Sequence, residues 1–386
     1  MSNFITQEIL EKNTESSSME ISNTESSSME ISNTESSSME ISNMETSMKT
    51  SSMEVSDTET SMETYIKKYN ILTSNATDIG GGKENQDGYL YFRIFLKSGD
   101  EATIEGVFDG HGINGKSIAN LVVNETRNYI YEYIDIIESD HVLFFNNLIS
   151  ILDNKTQTKY RYQGGTTATI NILLKGKIYN CNCGDSDSKL FSKHKNLNQE
   201  SDTFTDILNI SKSHSPLDKE EFDFIRENKP DIKFIYKLGN IEHPIYDEFG
   251  NLNDVSNMGL VPKNVNGDLP TVITDSIRYL AMTRSIGDGD LSRKDPSICI
   301  YDVSDIISSE YDLCLVIASD GLWDNWKDEN IKNFVFNETN LMTLKEEDGI
   351  KKVTDLLLKK NDTIGKRNFG RHRDNTTIFL TYLSLN

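Results

Sequence analysis

The stretch Gly-Val-Phe-Asp-Gly-His-Gly, residues 106–112, ends an apolar run with an acid, two glycines and a histidine. Other acids stand in similar settings. Asp320 closes Cys-Leu-Val-Ile-Ala-Ser-Asp and precedes Gly321; Asp185 follows Cys183-Gly184 and precedes Ser186. Asp374 opens the last apolar run, and Asp87 sits just before Gly88-Tyr89-Leu90. Each alone has an ordinary explanation, because Asp-Gly makes turns and Asp brackets strands. Together they suggest chemistry. If the strand ends share one rim, the carboxylates converge, repel and raise each other's pKa. Such a cluster is tolerable when protonated or bound to cations. An oxygen-only ligand set suits Mg²⁺ or Mn²⁺ more than zinc. Two such ions sharing one carboxylate, Asp109, would acidify a water into a nucleophile for in-line attack on phosphorus. His111, two residues on, is typed as the general acid for the leaving alkoxide, with a rim-packed turn histidine as the bland alternative. Gly110 would let its carbonyl approach a metal, and Gly112 would relieve crowding before the next helix.

The elements that must position these residues can be read from periodicity. Residues 89–97 and 102–109 form a hairpin about Ser98-Gly99-Asp100. Residues 114–137 have helical spacing, with Ile118, Leu121, Val122, Ile130 and Ile134 on one side, and a second helix is expected near 139–153. Two strands flank Lys175-Gly176 within 166–186. A buried strand covers 312–320, helices cover 328–338 and 347–360, and a final strand covers 375–385. Residues 194–270 are polar and read as long loops with one short helix at 217–228. Strands and helices are segregated, which predicts an α+β fold over a doubly wound sheet.

Composition narrows the function classes. The 386-residue chain carries a formal net charge of −22, which argues against nucleic acid as a partner. The longest apolar stretch, near 313–318, is far too short to span a membrane, and the first residues make a poor signal peptide. Cys181, Cys183, Cys299 and Cys314 form no CxxC pair, so reduced thiols in an intracellular compartment are expected. A monomer is expected. The decapeptide Asn-Thr-Glu-Ser-Ser-Ser-Met-Glu-Ile-Ser occurs at 13–22, 23–32 and 33–42, with decayed copies to about residue 64. Its composition predicts a disordered acidic tail over 1–64, ahead of a folded domain over 65–386.

In their order and type, FDGHG (108–112), GGTTAT (164–169), CGDS (183–186), MTRSIGD (282–288), ASDGLWD (318–324) and RDNTT (373–377) resemble the type 2C metal-dependent protein Ser/Thr phosphatases. HSPLDKEEFDFI (214–225) is similar to a further segment of that family, and the resemblance spans roughly 70–386. It implies two packed antiparallel sheets with helices on both outer faces, acting on phosphoprotein substrates. It also implies roles: Asp109 bridging two ions, Gly110 offering its carbonyl, and Asp320 and Asp374 holding the second ion. Asp87 would act through waters, Asp185 with Asp320 would hold a weaker third ion, and His111 would be the acid. Thr166 and Thr167 would pack or hydrogen-bond, and Arg284 and Asp288 would be architectural.

The departures bear on substrate. Gly82 stands where the family usually places a phosphate-binding Arg, within the Gly80-Gly81-Gly82 run. Lys83 would substitute as a point charge, not as a bidentate fork, or the glycine run would present N–H groups to phosphate. Gln86 replaces a frequent acid, Asp187 replaces a frequent basic residue, and the segment from Ile235 to Thr274 is longer than typical. A phosphatase with a raised KM is therefore expected. A pseudophosphatase that binds partners without turnover is the alternative, and an acidic cation buffer is a more distant one because the acids fit no EF-hand spacing.

Overall fold

Two five-stranded antiparallel sheets carry the architecture. A computed structural model describes residues 69–195, 207–304, 306–307, 310–346 and 348–385, so the repeat segment expected to form a tail lies outside the described residues. The first sheet runs, in spatial order, Tyr69–Asp78, Thr376–Leu385, Tyr311–Ala318, Asp187–His194 and Ile207–Asn209. The second runs Ser297–Asp302, Lys177–Cys183, Ala168–Leu174, Glu101–Phe108 and Gly88–Phe95.

The sheets pack face to face. Val107 of the second meets Ile317 and Phe379 of the first, and Leu173 and Ile178 meet Leu190, Leu313, Leu315 and Leu383. Helices close both outer faces. Gly115–Tyr133 and His141–Tyr160 cover the second sheet through Ile118, Val122, Phe144 and Leu148. Asp328–Val335, Glu338–Leu344 and Gly349–Phe369 cover the first through Phe334, Leu344, Val353 and Leu357. This is the α+β sandwich expected from sequence. Its central strands are buried on both faces, so Glu101–Phe108 is buried at every position but the first and shows no period-two alternation. The turn between Lys177–Cys183 and its neighbour has positive φ at both Lys175 and Gly176, the geometry that matches strand twist in a two-residue hairpin.

Two expectations change. Tyr69–Asp78 is a ten-residue strand paired along its whole length with Thr376–Leu385. Its polar sequence hid it, and only the distant partner strand makes it regular. The polar region near 194–270 is more than loops. It holds the helix Lys219–Asn228 and the strands Lys233–Leu238 and Ile241–Pro244, which join Thr271–Thr274 and Tyr279–Leu280 in a four-stranded sheet. A small core of its own, including Phe222, Ile225, Phe234, Tyr246 and Ile273, lies under that sheet. The core residues are too widely spaced among Asn and Asp to register as periodic.

A buried ion cluster ties this region to the sandwich. Glu221 is fully buried and accepts hydrogen bonds from Arg284 Nε at 3.0 Å and Arg293 Nη1 at 3.2 Å. Arg284 also reaches Asp295. Removing the acid leaves two guanidinium groups with one carboxylate between them, the costly way to break a buried pair. Glu221→Ala should therefore lower unfolding free energy by about 3–5 kcal/mol in urea titrations. A loss below about 1 kcal/mol, the range of exposed pairs, would overturn that account.

Candidate active site

Strand register brings the acids to one rim. Gly88 pairs with Phe108, so Asp87 and Asp109 leave the second sheet side by side. Ala168 pairs with Cys183, which sets Asp185 near the same end. Ala318 pairs with both Ile378 and Asp187 in the first sheet, so Asp320 and Asp374 emerge beside them. Thr167 stitches the two sides. Its N–H donates to the Asp109 carbonyl at 2.8 Å, its Oγ1 accepts from the Asp109 N–H at 3.0 Å, and it meets Ser186 Oγ at 2.8 Å. The glycines after the acids permit close approach. A Cβ on Gly110 would sit 2.5 Å from the Gly115 carbonyl oxygen, and one on Gly321 would sit 1.9 Å from that of Asn375.

The electrostatics follow from this crowding. Burial pushes the Asp109 carboxyl well above the usual range, and Asp87, Asp320, Asp374 and Asp185 all push it further. Asp320 is raised in the same way, by burial and then by Asp374 and Asp185. Asp87 is raised to about 7, chiefly by burial, although hydrogen bonds such as that from Ser319 Oγ at 3.0 Å pull against the shift. Both carboxylate oxygens of Asp185, Oδ1 of Asp320 and Oδ1 of Asp87 are buried without a hydrogen-bond partner. Orphaned acceptors of this kind are costly in an apolar setting and suit hard cations. The donor set therefore fits Mg²⁺ or Mn²⁺. Among the described residues no three His, Cys, Asp or Glu side chains close to a metal-holding group.

His111 lies beside the acids on a small three-stranded sheet. Gly110–His111 pairs with Gly165–Thr166, which pairs with Ile286–Gly287. That sheet delivers Asp288 to the histidine: Nε2 of His111 lies 2.7 Å from Oδ2 of Asp288. Ser285 Oγ donates to the same oxygen at 2.6 Å. Burial works to lower the His111 pKa, but the charge and hydrogen bond of Asp288 outweigh it and hold the ring above its ordinary value. The imidazole is thus biased toward the protonated form that an acid needs. Asp288 was expected to be architectural, and it instead orients His111. Sequence spacing hides this contact, since 177 residues separate the pair. Arg284 is architectural as expected.

Lys83 is exposed on the glycine run, and among the described residues no hydrogen bond or ion pair joins it to the acids. The N–H groups of Gly80 and Gly81 are already taken by Asp78 Oδ1 and the Arg373 carbonyl, so two of the three glycine donors are not presented to a ligand. Gln86 donates to the Gly112 carbonyl at 3.0 Å, bracing the turn after His111. Asp187 accepts from Ser211 Oγ, and burial raises it to about 6. Two residues that sequence reasoning missed support the rim: Asn375, whose Oδ1 accepts the Gln86 N–H, and His214, whose Nδ1 accepts the Gly184 N–H beside Asp185.

Fold and site together define an α+β sandwich with buried carboxylates at one rim and a histidine held by Asp288. The chain matches the family model "Protein phosphatase 2C" over residues 83–362 and belongs to that family. It is 24% identical over 245 residues to Probable protein phosphatase 2C 35 of Arabidopsis thaliana, covering 63% of this chain and 65% of that protein. It is 23% identical over 272 residues to Protein phosphatase 1L of Bos taurus, covering 67% of this chain and 61% of that one. The chain therefore spans less than two thirds of the length of either relative. A serine-threonine phosphatase 2C from Toxoplasma gondii shares the fold, with a TM-score of 0.55 at 15% identity over 83% of this chain and 100% of that one.

The raised carboxyls carry a pH signature. Asp87 titrates near 7 when folded and near its ordinary value of about 4 when unfolded. A folded pKa above the unfolded one means stability present at low pH and lost as pH rises through the folded value. With metal chelated, Asp87→Asn should gain in melting temperature over the unaltered chain progressively from about pH 4 to about pH 7. Manganese should erase that gain. A pH-independent difference would overturn the assignment.

Proposed function

We propose that the chain hydrolyses phosphoserine and phosphothreonine in proteins at a two-metal centre. The observation that carries this reading is the convergence of five carboxylates at one rim beside a histidine held by Asp288. Asp109 and the Gly110 carbonyl would hold one ion, and Asp109, Asp320 and Asp374 the second. Asp87 would fix waters around them. Asp185 stands where a third, weaker ion would sit. Magnesium or manganese, when bound, supplies Lewis acidity toward phosphate and an acidified water. The protein's own part is to hold the proton. His111, kept charged by Asp288, stands ready to protonate the leaving serine or threonine oxygen. The fixed Asp288 contact holds the ring in one orientation, so no reorganisation is needed at the moment of transfer.

One observation favours a second reading, a binding module with little turnover. Gly82 provides no guanidinium fork, Lys83 is exposed and two glycine N–H groups are engaged within the protein. The two readings part on turnover. Under the first, manganese-dependent phosphate release from a phosphothreonine peptide should vanish with EDTA and in Asp320→Asn. Metal binding by calorimetry without any release would favour the second.

The histidine role has its own test. His111→Ala should cut kcat on a phosphoserine peptide by roughly 10²–10⁴-fold. It should cost far less on p-nitrophenyl phosphate, whose leaving group needs no proton. Equal losses on both substrates would remove His111 as the acid.

A further inference from the structure

Asp288, the residue that holds His111, stands in a demanding backbone conformation. Its φ is 58°, in the left-handed region, between Gly287 at 94° and Gly289 at 56°. A non-glycine residue stays there only where its surroundings hold it. The Asp288 N–H donates to the Gly164 carbonyl at 3.2 Å, and Arg278 Nη1 donates to the Asp288 carbonyl at 2.8 Å. One ion pair grips the residue before it. Asp153, on the helix His141–Tyr160, accepts the Gly287 N–H through Oδ1 at 2.9 Å. Lys294 Nζ donates to the Gly287 carbonyl. The ammonium and Asp153 Oδ1 lie 3.6 Å apart, and both side chains are largely shielded from solvent. Both polar backbone groups of Gly287 are therefore taken by this pair.

The lysine reaches the Asp288 carboxyl by a second route. Its Nζ lies 2.7 Å from Ser292 Oγ, Ser292 Oγ lies 2.8 Å from Ser285 Oγ, and Ser285 Oγ lies 2.6 Å from Asp288 Oδ2. Both serines are fully buried. The order of protons is fixed at the two ends, because an ammonium only donates and a carboxylate only accepts. Lys294 thus donates to Ser292, Ser292 to Ser285, and Ser285 to Asp288. The chain ends on Oδ2, the oxygen that lies 2.7 Å from His111 Nε2. The other ring nitrogen, Nδ1, is buried without a hydrogen-bond partner among the described residues, which leaves it for the substrate.

We propose that Lys294 is a positioning residue for proton transfer by His111, acting with Asp153 through the Gly287 peptide and through Ser292, Ser285 and Asp288. The inference rests on the hydrolase reading with His111 as its acid, and specifies what aims the ring. Among the described residues no hydrogen bond or ion pair joins Lys294 to His111 or to the rim acids, so its influence passes through the residues between. A charged donor at the far end keeps the hydroxyl chain polarised in one direction. Oδ2 then meets Nε2 in one geometry. Without the lysine the turn that carries Asp288 loses one of its backbone ties and the chain loses its source. Small misplacements of a reacting group are costly in rate.

The test compares two leaving groups on the full chain with manganese. Lys294→Met should lower kcat on a phosphoserine peptide by roughly 10–10²-fold with little change in KM. It should cost far less on p-nitrophenyl phosphate, whose leaving group needs no proton. Ser292→Ala, which cuts the chain and leaves the lysine in place, should show the same selective loss. In a His111→Ala background Lys294→Met should cost nothing further, because the ring it aims is gone. Equal losses on the two substrates in either variant with its melting transition intact, or a further loss on top of His111→Ala, would reduce Lys294 to a structural role and overturn the proposal. A selective loss in His111→Ala but in neither variant would keep the acid and overturn the proposal. No manganese-dependent release by the unaltered chain from either substrate would overturn the hydrolase reading, and the proposal with it.

Discussion

Everything at the rim depends on the mutual repulsion of buried carboxylates. Asp87, Asp109, Asp185, Asp320 and Asp374 are gathered by strand register, and each would be more comfortable apart. The sandwich overrides that preference because its inter-sheet core fixes where the strands end. The supports around the acids are then intelligible as responses to this constraint. Thr167 and Ser319 spend hydroxyl groups on Asp109 and Asp87, and glycines after two of the acids let the backbone close. Carboxylates crowded in this way are the oxygen donors that hard divalent cations favour.

The histidine answers to the same field from the other side. Its ring is buried, which by itself favours the neutral form, yet it stands between Asp288 and the acid cluster. The small sheet of Gly110–His111, Gly165–Thr166 and Ile286–Gly287 makes the pair possible. The polar segment after the first sheet is joined to this arrangement through buried polar groups. His214 braces Gly184, Thr283 bonds the His214 carbonyl, and Arg284 with Arg293 clamps Glu221. Acid site and appended sheet therefore share a single polar seam, which also delivers Asp288.

Much of this was legible in the residues. Apolar runs ending in Asp-Gly marked two of the acids, Asp109 and Asp320, and helical spacing found Gly115–Tyr133 and Lys219–Asn228 nearly to their ends. Tyr69–Asp78 was not legible, since an edge strand of mixed polar residues is regular only beside Thr376–Leu385. Nor was the four-stranded sheet within the polar segment, whose core residues come from separate short stretches. Sequence adjacency also does not say what Lys83 touches; beside Gly82, it is exposed to solvent.

The sequence by itself determined the chemical inventory: oxygen ligands without thiols, one histidine beside an acid, and apolar runs able to build a double-sided sandwich. Residue type sets which cations and protons a site can hold, and local pattern sets which segments become strands. Only the tertiary structure decided which groups meet. The pairing of His111 with Asp288, the Gly81 N–H on the Arg373 carbonyl and the Gln86 N–H on Asn375 Oδ1 are all contacts between distant segments. Their geometry is set by long-range register and packing, which no local periodicity encodes.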